Sequence, residues 1–210
     1  MIHTEDITAK ARIRDAALQL FAKRGEQRVS MRQVAARAGV AVGSIQHHFG
    51  TRDGLLRAVN ECVIGYFQDA INAADHSDAS TPGAIAAARD QSVTRMLQTN
   101  PDILNYVRRE ILDPASSGTL LHRLTGLIQS EVRRARAQGI ASTERRESTQ
   151  VIQVLVRQIG ALALQPLVDA VWCQVEPDPA ASKPTLHVSV ITQNRNPAAA
   201  PGKAGKMDAG

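Results

Sequence analysis

The chain has 210 residues, enough for one sizeable core or for a small module joined to a larger one. Aromatic residues are only 3% of it, while Ala, Leu, Val, Gln and Arg are plentiful and strand-like alternation appears in a single late run, so an all-α fold is expected. Cys62 and Cys173 are far apart and outside any CxxC pair, which argues against a disulfide framework or zinc site. The opening "MIHTEDITAK" lacks the apolar core of a signal peptide and no uninterrupted apolar run approaches ~20 residues. A soluble, cytoplasmic protein without a membrane partner is expected.

The net charge of +5 is unevenly distributed. Met1 to Arg57 hold ten basic and five acidic residues, and the remaining 153 residues hold fifteen of each. The excess lies wholly in the first quarter, as expected if that quarter alone touches a polyanion; a solvated helical surface has the same look.

In chain order, residues 8–25 place Ile13, Ala16, Ala17, Leu20 and Phe21 on one helical face, with Gly25 as a stop. Ser30 and Gln33 have capping-box spacing and open a short second helix that Gly39 ends. A third short helix fits Ala41 to Phe49, broken by Gly50. Thr51 then caps a long fourth helix whose inner stripe reads Leu55, Val59, Cys62, Tyr66 and Ala70.

After the loop "ADHSDASTPG", Pro82 suits the first turn of a fifth helix running to Thr99, and Pro101 that of a sixth. A seventh runs from Thr119 to Gln138. The stretch from Glu147 to Trp172 is apolar on most sides, with Leu155 among its apolar residues, and therefore calls for cover from a second subunit. Pro166 is expected to split it, for about nine helices in all. From Glu176 onward, prolines scattered among Ala, Ser, Lys and Gly predict a disordered tail, and the run "TLHVSVIT" within it lacks a strand partner. The expected division is residues 1–52 as a basic three-helix domain, 53–175 as a larger helical domain that pairs with a second copy, and 176–210 as tail.

Two short helices joined by a glycine turn, "SMRQVAARAGVAVGSIQHHF", have the form of a helix-turn-helix, whose second helix can enter the major groove. Small residues at its start, Ala41, Gly43 and Ser44, permit close approach, while Gln46, His47 and Arg52 offer donors to base edges and phosphates.

The stretch resembles the N-terminal signature of the TetR family of bacterial transcriptional regulators, which it matches at Ser30, Val34, Ala35, Ala38, Gly39, Val40, Gly43, Ile45, His48, Phe49, Arg52, Leu55 and Leu56. The resemblance covers about 50 residues. It implies that Arg32 reaches a base or phosphate, that Val42, Gly43 and Ser44 face the groove, that His47 occupies the variable reading position, and that His48 and Arg52 contact phosphate. Two positions depart from the family pattern. Gln46 replaces the usual Tyr, exchanging an aromatic phosphate contact for an amide able to read adenine, and Ala41 replaces the usual Ser or Thr cap.

His47 and His48 point about 100° apart on a helix and do not suit a shared metal; His48 can also serve by packing under the following turn. No nucleophile, metal cluster or phosphate loop suggests an enzyme, and no cofactor is expected. For a ligand cavity in the larger domain, the candidates are Tyr66, Met96, Asn105, Tyr106, Arg109, His122 and Trp172, each of which can instead be core or solvated surface. The expected protein is a homodimeric repressor that binds a palindromic DNA operator, nucleoid-associated when bound, and is released by a small-molecule effector. An activator of the same fold, or a helical protein whose basic N-terminus meets another acidic partner, are the alternatives.

Overall fold

The computed structural model describes residues 4–75, 80–113, 116, 118–178, 180–186 and 188–190. Eight α-helices follow in order: α1 Thr4–Arg24, α2 Met31–Ala38, α3 Val42–Phe49, α4 Arg52–Ala74, α5 Pro82–Thr99, α6 Pro101–Leu112, α7 Thr119–Ala137 and α8 Glu147–Val175. A 3-10 turn, Glu26–Arg28, sits between α1 and α2. All-α architecture is as expected, and no strand occurs among the described residues.

Local chemistry sets the first boundaries. Ser30 accepts from the Gln33 backbone N–H at 3.3 Å and Gln33 Oε1 accepts from the Ser30 backbone N–H at 2.9 Å, closing the capping box of α2. Gly39 ends that helix at φ 67°, ψ 40°, a left-handed conformation that suits glycine. Ala41 leaves α3 without a side-chain cap. Thr51 Oγ1 accepts from Gly54 N at 3.0 Å and starts α4. A Cβ on Gly54 would lie 1.9 Å from the Phe49 carbonyl oxygen, so that turn is closed only with glycine there.

A continuous core links the N-terminal helices to the rest of the chain. Ile13, Ala17 and Phe21 of α1 are fully buried with Leu55, Val59 and Val63 of α4 and Tyr106 of α6. The Phe21 and Tyr106 rings lie 6.3 Å apart, at a tilt. A smaller cluster of Ile128, Val132 and Val151 joins α7 to the start of α8.

Two differences from expectation have physical causes. First, α8 is one unbroken helix of 29 residues with Pro166 inside it, giving eight α-helices among the described residues rather than about nine. Proline removes the N–H that would serve the carbonyl four residues earlier, here Leu162, and Arg108 Nε of α6 donates to that carbonyl at 2.8 Å instead. Second, the segment after α8 runs back along it as far as it is described. Lys183 Nζ lies 2.9 Å from Asp169, Leu186 N donates to Gln165 Oε1 at 3.1 Å, Val188 meets Gly160, and Gln153 Nε2 donates to Val190 O at 3.3 Å. The rest of the expected tail, 191–210, lies outside the described residues.

The α8 surface remains largely uncovered: Ile152, Leu164, Leu167, Val171 and Val175 are exposed, Leu167 by 63%. By length and composition alone this helix is apolar enough to cross a membrane. A helix with such a face meets either lipid or another apolar surface.

Candidate nucleic-acid interface

Ile45, 3% exposed, anchors α3 in the core, and the helical rotation of 100° per residue places Gly43 and His47 on the opposite side. Val42, Gly43, Gln46 and His47 are exposed, Ser44 is half-buried, and Arg32 is exposed on the neighbouring α2. Gly43 and His47 thus face away from the core, Ser44 and Gln46 sit on opposite flanks of that outward side, Val42 lies nearer the Ile45 side at the start of the helix, and Arg32 is on α2.

The other two are more engaged with the protein. His48 is half-buried, edge-on to both His47, at a ring separation of 5.1 Å, and Phe49, at 6.3 Å. Arg52 donates from Nη2 to the Glu26 carbonyl in the 3-10 turn, fixing the start of α4 against the end of α1. Its remaining N–H groups keep the ability to reach a phosphate. Lys10 of α1, which sequence reasoning did not single out, stands 6.0 Å from the Phe49 ring centroid. Arg37 is held by Gln19 Oε1 at 2.7 and 3.0 Å. Among the described residues, no three His, Cys, Asp or Glu side chains cluster to hold a metal.

The larger half contains a cavity of about 210 Å³ between α4, α5, α7 and α8. Ile71, Ile85, Ile128, Val132, Ala135 and Val154 supply apolar wall, and Arg89, Asp90, Glu131 and Arg157 supply charge. None of the seven residues considered for a ligand cavity lines it. Tyr66 is exposed, Met96 packs half-buried against the core, Tyr106 is fully buried, His122 is exposed and Trp172 is half-buried. Asn105 and Arg109 border a separate open depression between α1 and α6.

Arg109 has a different partner there: it donates to the carbonyls of Ala22 at 3.4 Å and Lys23 at 3.1 Å, in the last turn of α1. The residues that line the larger cavity carry no local sequence signal, because Asp90 and Arg157 meet across 67 positions of chain.

The family model described as bacterial regulatory proteins, tetR family, matches residues 13–59. The HTH-type transcriptional regulatory protein RaaS of Mycobacterium tuberculosis is 29% identical over 121 residues, 54% of this chain and 57% of that one. The HTH-type transcriptional repressor Rv3405c of the same organism is 49% identical over 49 residues, 23% of this chain and 26% of that one. These matches span little more than half the length of the first relative and about a quarter of the second. A crystal structure of a tetR-family regulator from Shewanella sp. PV-4 superposes with a TM-score of 0.64 at 24% identity, covering 79% of this chain and 89% of that one, which establishes likeness of fold.

Proposed function

Because this chain is a TetR-family transcriptional regulator with an N-terminal helix-turn-helix domain, we propose that it is a repressor that binds a palindromic operator as a homodimer and leaves it when a small molecule occupies the larger half. The observation that carries this reading is the outward side of α3, where Gly43 permits close approach and His47 presents polar atoms to a major groove, with Gln46 on one flank and Ser44 on the other. Beside it are Val42 and three basic residues, His48 and Arg52 suited to phosphate contact and Arg32 to a base or phosphate. The name repressor given to Rv3405c, half identical across this region, favours repression over activation.

The exposed apolar side of α8 supports dimerisation, since a second copy gives it cover without lipid. Two copies about a two-fold axis would set their recognition helices in successive major grooves roughly 34–36 Å apart. In this reading residues 1–52 contact DNA, 53–175 bind effector and partner, and the protein works in the bacterial cytoplasm on the nucleoid. Release requires only that the effector bind the DNA-competent and incompetent arrangements unequally, with about 1–3 kcal/mol of coupling typical.

Footprinting on DNA flanking the protein's own gene tests the reading. Protection of a palindrome overlapping the promoter supports repression, protection upstream of it indicates activation, and no protection points to a different acidic partner.

A further inference from the structure

The run "TLHVSVIT" alternates like a strand but has no strand beside it among the described residues, and its described part lies on α8 instead. Leu186, Val188 and Val190 are half-buried while Thr185 and Ser189 are exposed, so the alternation sets apolar side chains against the helix and polar ones outward. The fit is specific at Gly160. A Cβ built there would stand 3.3 Å from both Val188 methyl carbons, so any side chain at this position would crowd the place that Val188 fills.

At 100° per residue, Gln153 and Gly160 fall on the same side of α8 as Leu164, Leu167 and Val171, all within about 60° of one another, whereas Gln165 and Asp169 are turned away by about 100° or more. The segment therefore starts on a flank, at Asp169 and Gln165, and crosses onto the apolar side at Gly160 and Gln153. That side is covered toward its N-terminal end, while Leu164, Leu167, Val171 and Val175 stay exposed.

Two helices in contact place their axes about 8–10 Å apart, which leaves no room for a third stretch of chain between them. A second copy laid along the whole apolar side of α8 and the segment from Leu186 to Val190 thus exclude one another. The segment is held lightly: none of its described residues is buried, and the Lys183–Asp169 pair stands open to solvent.

We propose that residues 186–190 are a strap that competes with the second copy for α8, so that dimerisation goes with release of the strap. The proposal rests on the reading of α8 as the dimer face and adds to it a brake supplied by the chain itself.

A disulfide that ties the strap down tests this on the full chain. A Cβ on Gly160 would lie 3.4 Å from Val188 Cβ, close to the separation of about 3.8 Å usual in disulfides. Gly160→Cys with Val188→Cys can therefore be joined, with Cys62→Ala and Cys173→Ser removing the native thiols. The bond is expected within one chain on a non-reducing gel. Sedimentation should show the oxidised protein dimerising at least about tenfold more weakly than the same protein reduced, since a locked strap withholds the binding-competent form. Val188→Asp, which loosens the strap, should dimerise about three- to tenfold more tightly than the parent. No bond, a bond between two chains, equal dimerisation of the oxidised and reduced forms, or no tightening in Val188→Asp would each overturn the proposal. Leu167→Arg keeps the underlying reading separate. If that variant is monomeric while the oxidised and reduced forms dimerise alike, only the strap is lost; if it dimerises like the parent, the α8 interface and the strap's role fall together.

Discussion

Tyr106 of α6 donates a 2.7 Å hydrogen bond to Asn60 Oδ1 of α4, and both residues are almost wholly excluded from solvent. Burial pushes the Tyr106 phenol far above its ordinary pKa and keeps it a donor at every physiological pH. Tyr106→Phe should cost about 1–3 kcal/mol, because Asn60 loses a partner it cannot replace with water. Adding Asn60→Leu should recover part of that loss. Urea unfolding of the single and double variants measures both, and a Tyr106→Phe protein as stable as the parent would show the pair to be energetically idle.

Glu110 lies one turn along from Tyr106, 5% exposed, with Oε2 accepting from Ser116 Oγ at 2.6 Å. Burial, more than its neighbours Glu26 and Asp113, raises its pKa from the ordinary 4.5, while Ser116 and Arg109 oppose the shift. A raised native pKa means that the folded state holds the proton more tightly than the unfolded one. The associated stability is full below about pH 4.5 and lost as pH rises through the native value. Glu110→Gln should therefore unfold at higher urea than the parent at pH 8, with the gap closing toward pH 4.5. A gap of constant size would remove ionisation as its cause.

Arg108 and Pro166 form a pair of another kind, a side-chain donor standing in for a missing backbone one at the Leu162 carbonyl. Arg108→Met should cost about 1–2 kcal/mol in the parent. In a Pro166→Ala background, where the backbone N–H returns, the same change should cost much less, with a coupling of about 1 kcal/mol in a double-mutant cycle. Additive costs would mean that Arg108 stabilises α8 by some other route.

On the recognition surface, Gln46→Ala and His47→Ala should weaken operator binding about 5- to 100-fold while leaving random-sequence DNA nearly unaffected. Arg52→Ala should weaken both and flatten the salt dependence, with some loss of stability from its bond to the Glu26 carbonyl. If all three bound operator like the parent in a gel shift, the reading surface would lie elsewhere.

Leu155 is one of the apolar residues of the helix expected to meet a second subunit, but in the structure it is half-buried and packs against both hydrophobic clusters. A charge there would test folding more than association. Leu167, 63% exposed, is the better probe. Leu167→Arg should shift the protein from dimer to monomer in sedimentation without lowering its helical content, and an unchanged dimer would place the interface on another face.

The contrast between Leu155 and Ser30 illustrates what a linear sequence carries. The capping box of Ser30 and Gln33, the left-handed Gly39 and the cap at Thr51 act over three or four residues, so residue type and spacing were enough to place α2, α3 and the start of α4. Helix type and order followed from apolar periodicity along the whole chain. Pro166 broke no helix because its remedy, Arg108, stands 58 positions away in sequence. Arg52 could be assigned to the recognition turn, but not its bond to the Glu26 carbonyl. The cavity was illegible for the same reason: its wall is assembled from four helices and a loop, and no one of them presents a motif.

Helix α4 begins at the Thr51 turn beside the recognition helix and reaches Ile71 on the cavity wall. Its 23 residues make a rod about 34 Å long. Pivoted at one end, such a rod tilted by about 6° carries its other end roughly 3.5 Å sideways, close to the ~3.4 Å spacing of successive nucleotides on a DNA strand. On the proposed reading, a side-chain rearrangement of ordinary size around an effector would be geared, by helix length alone, to a full step of register on the duplex.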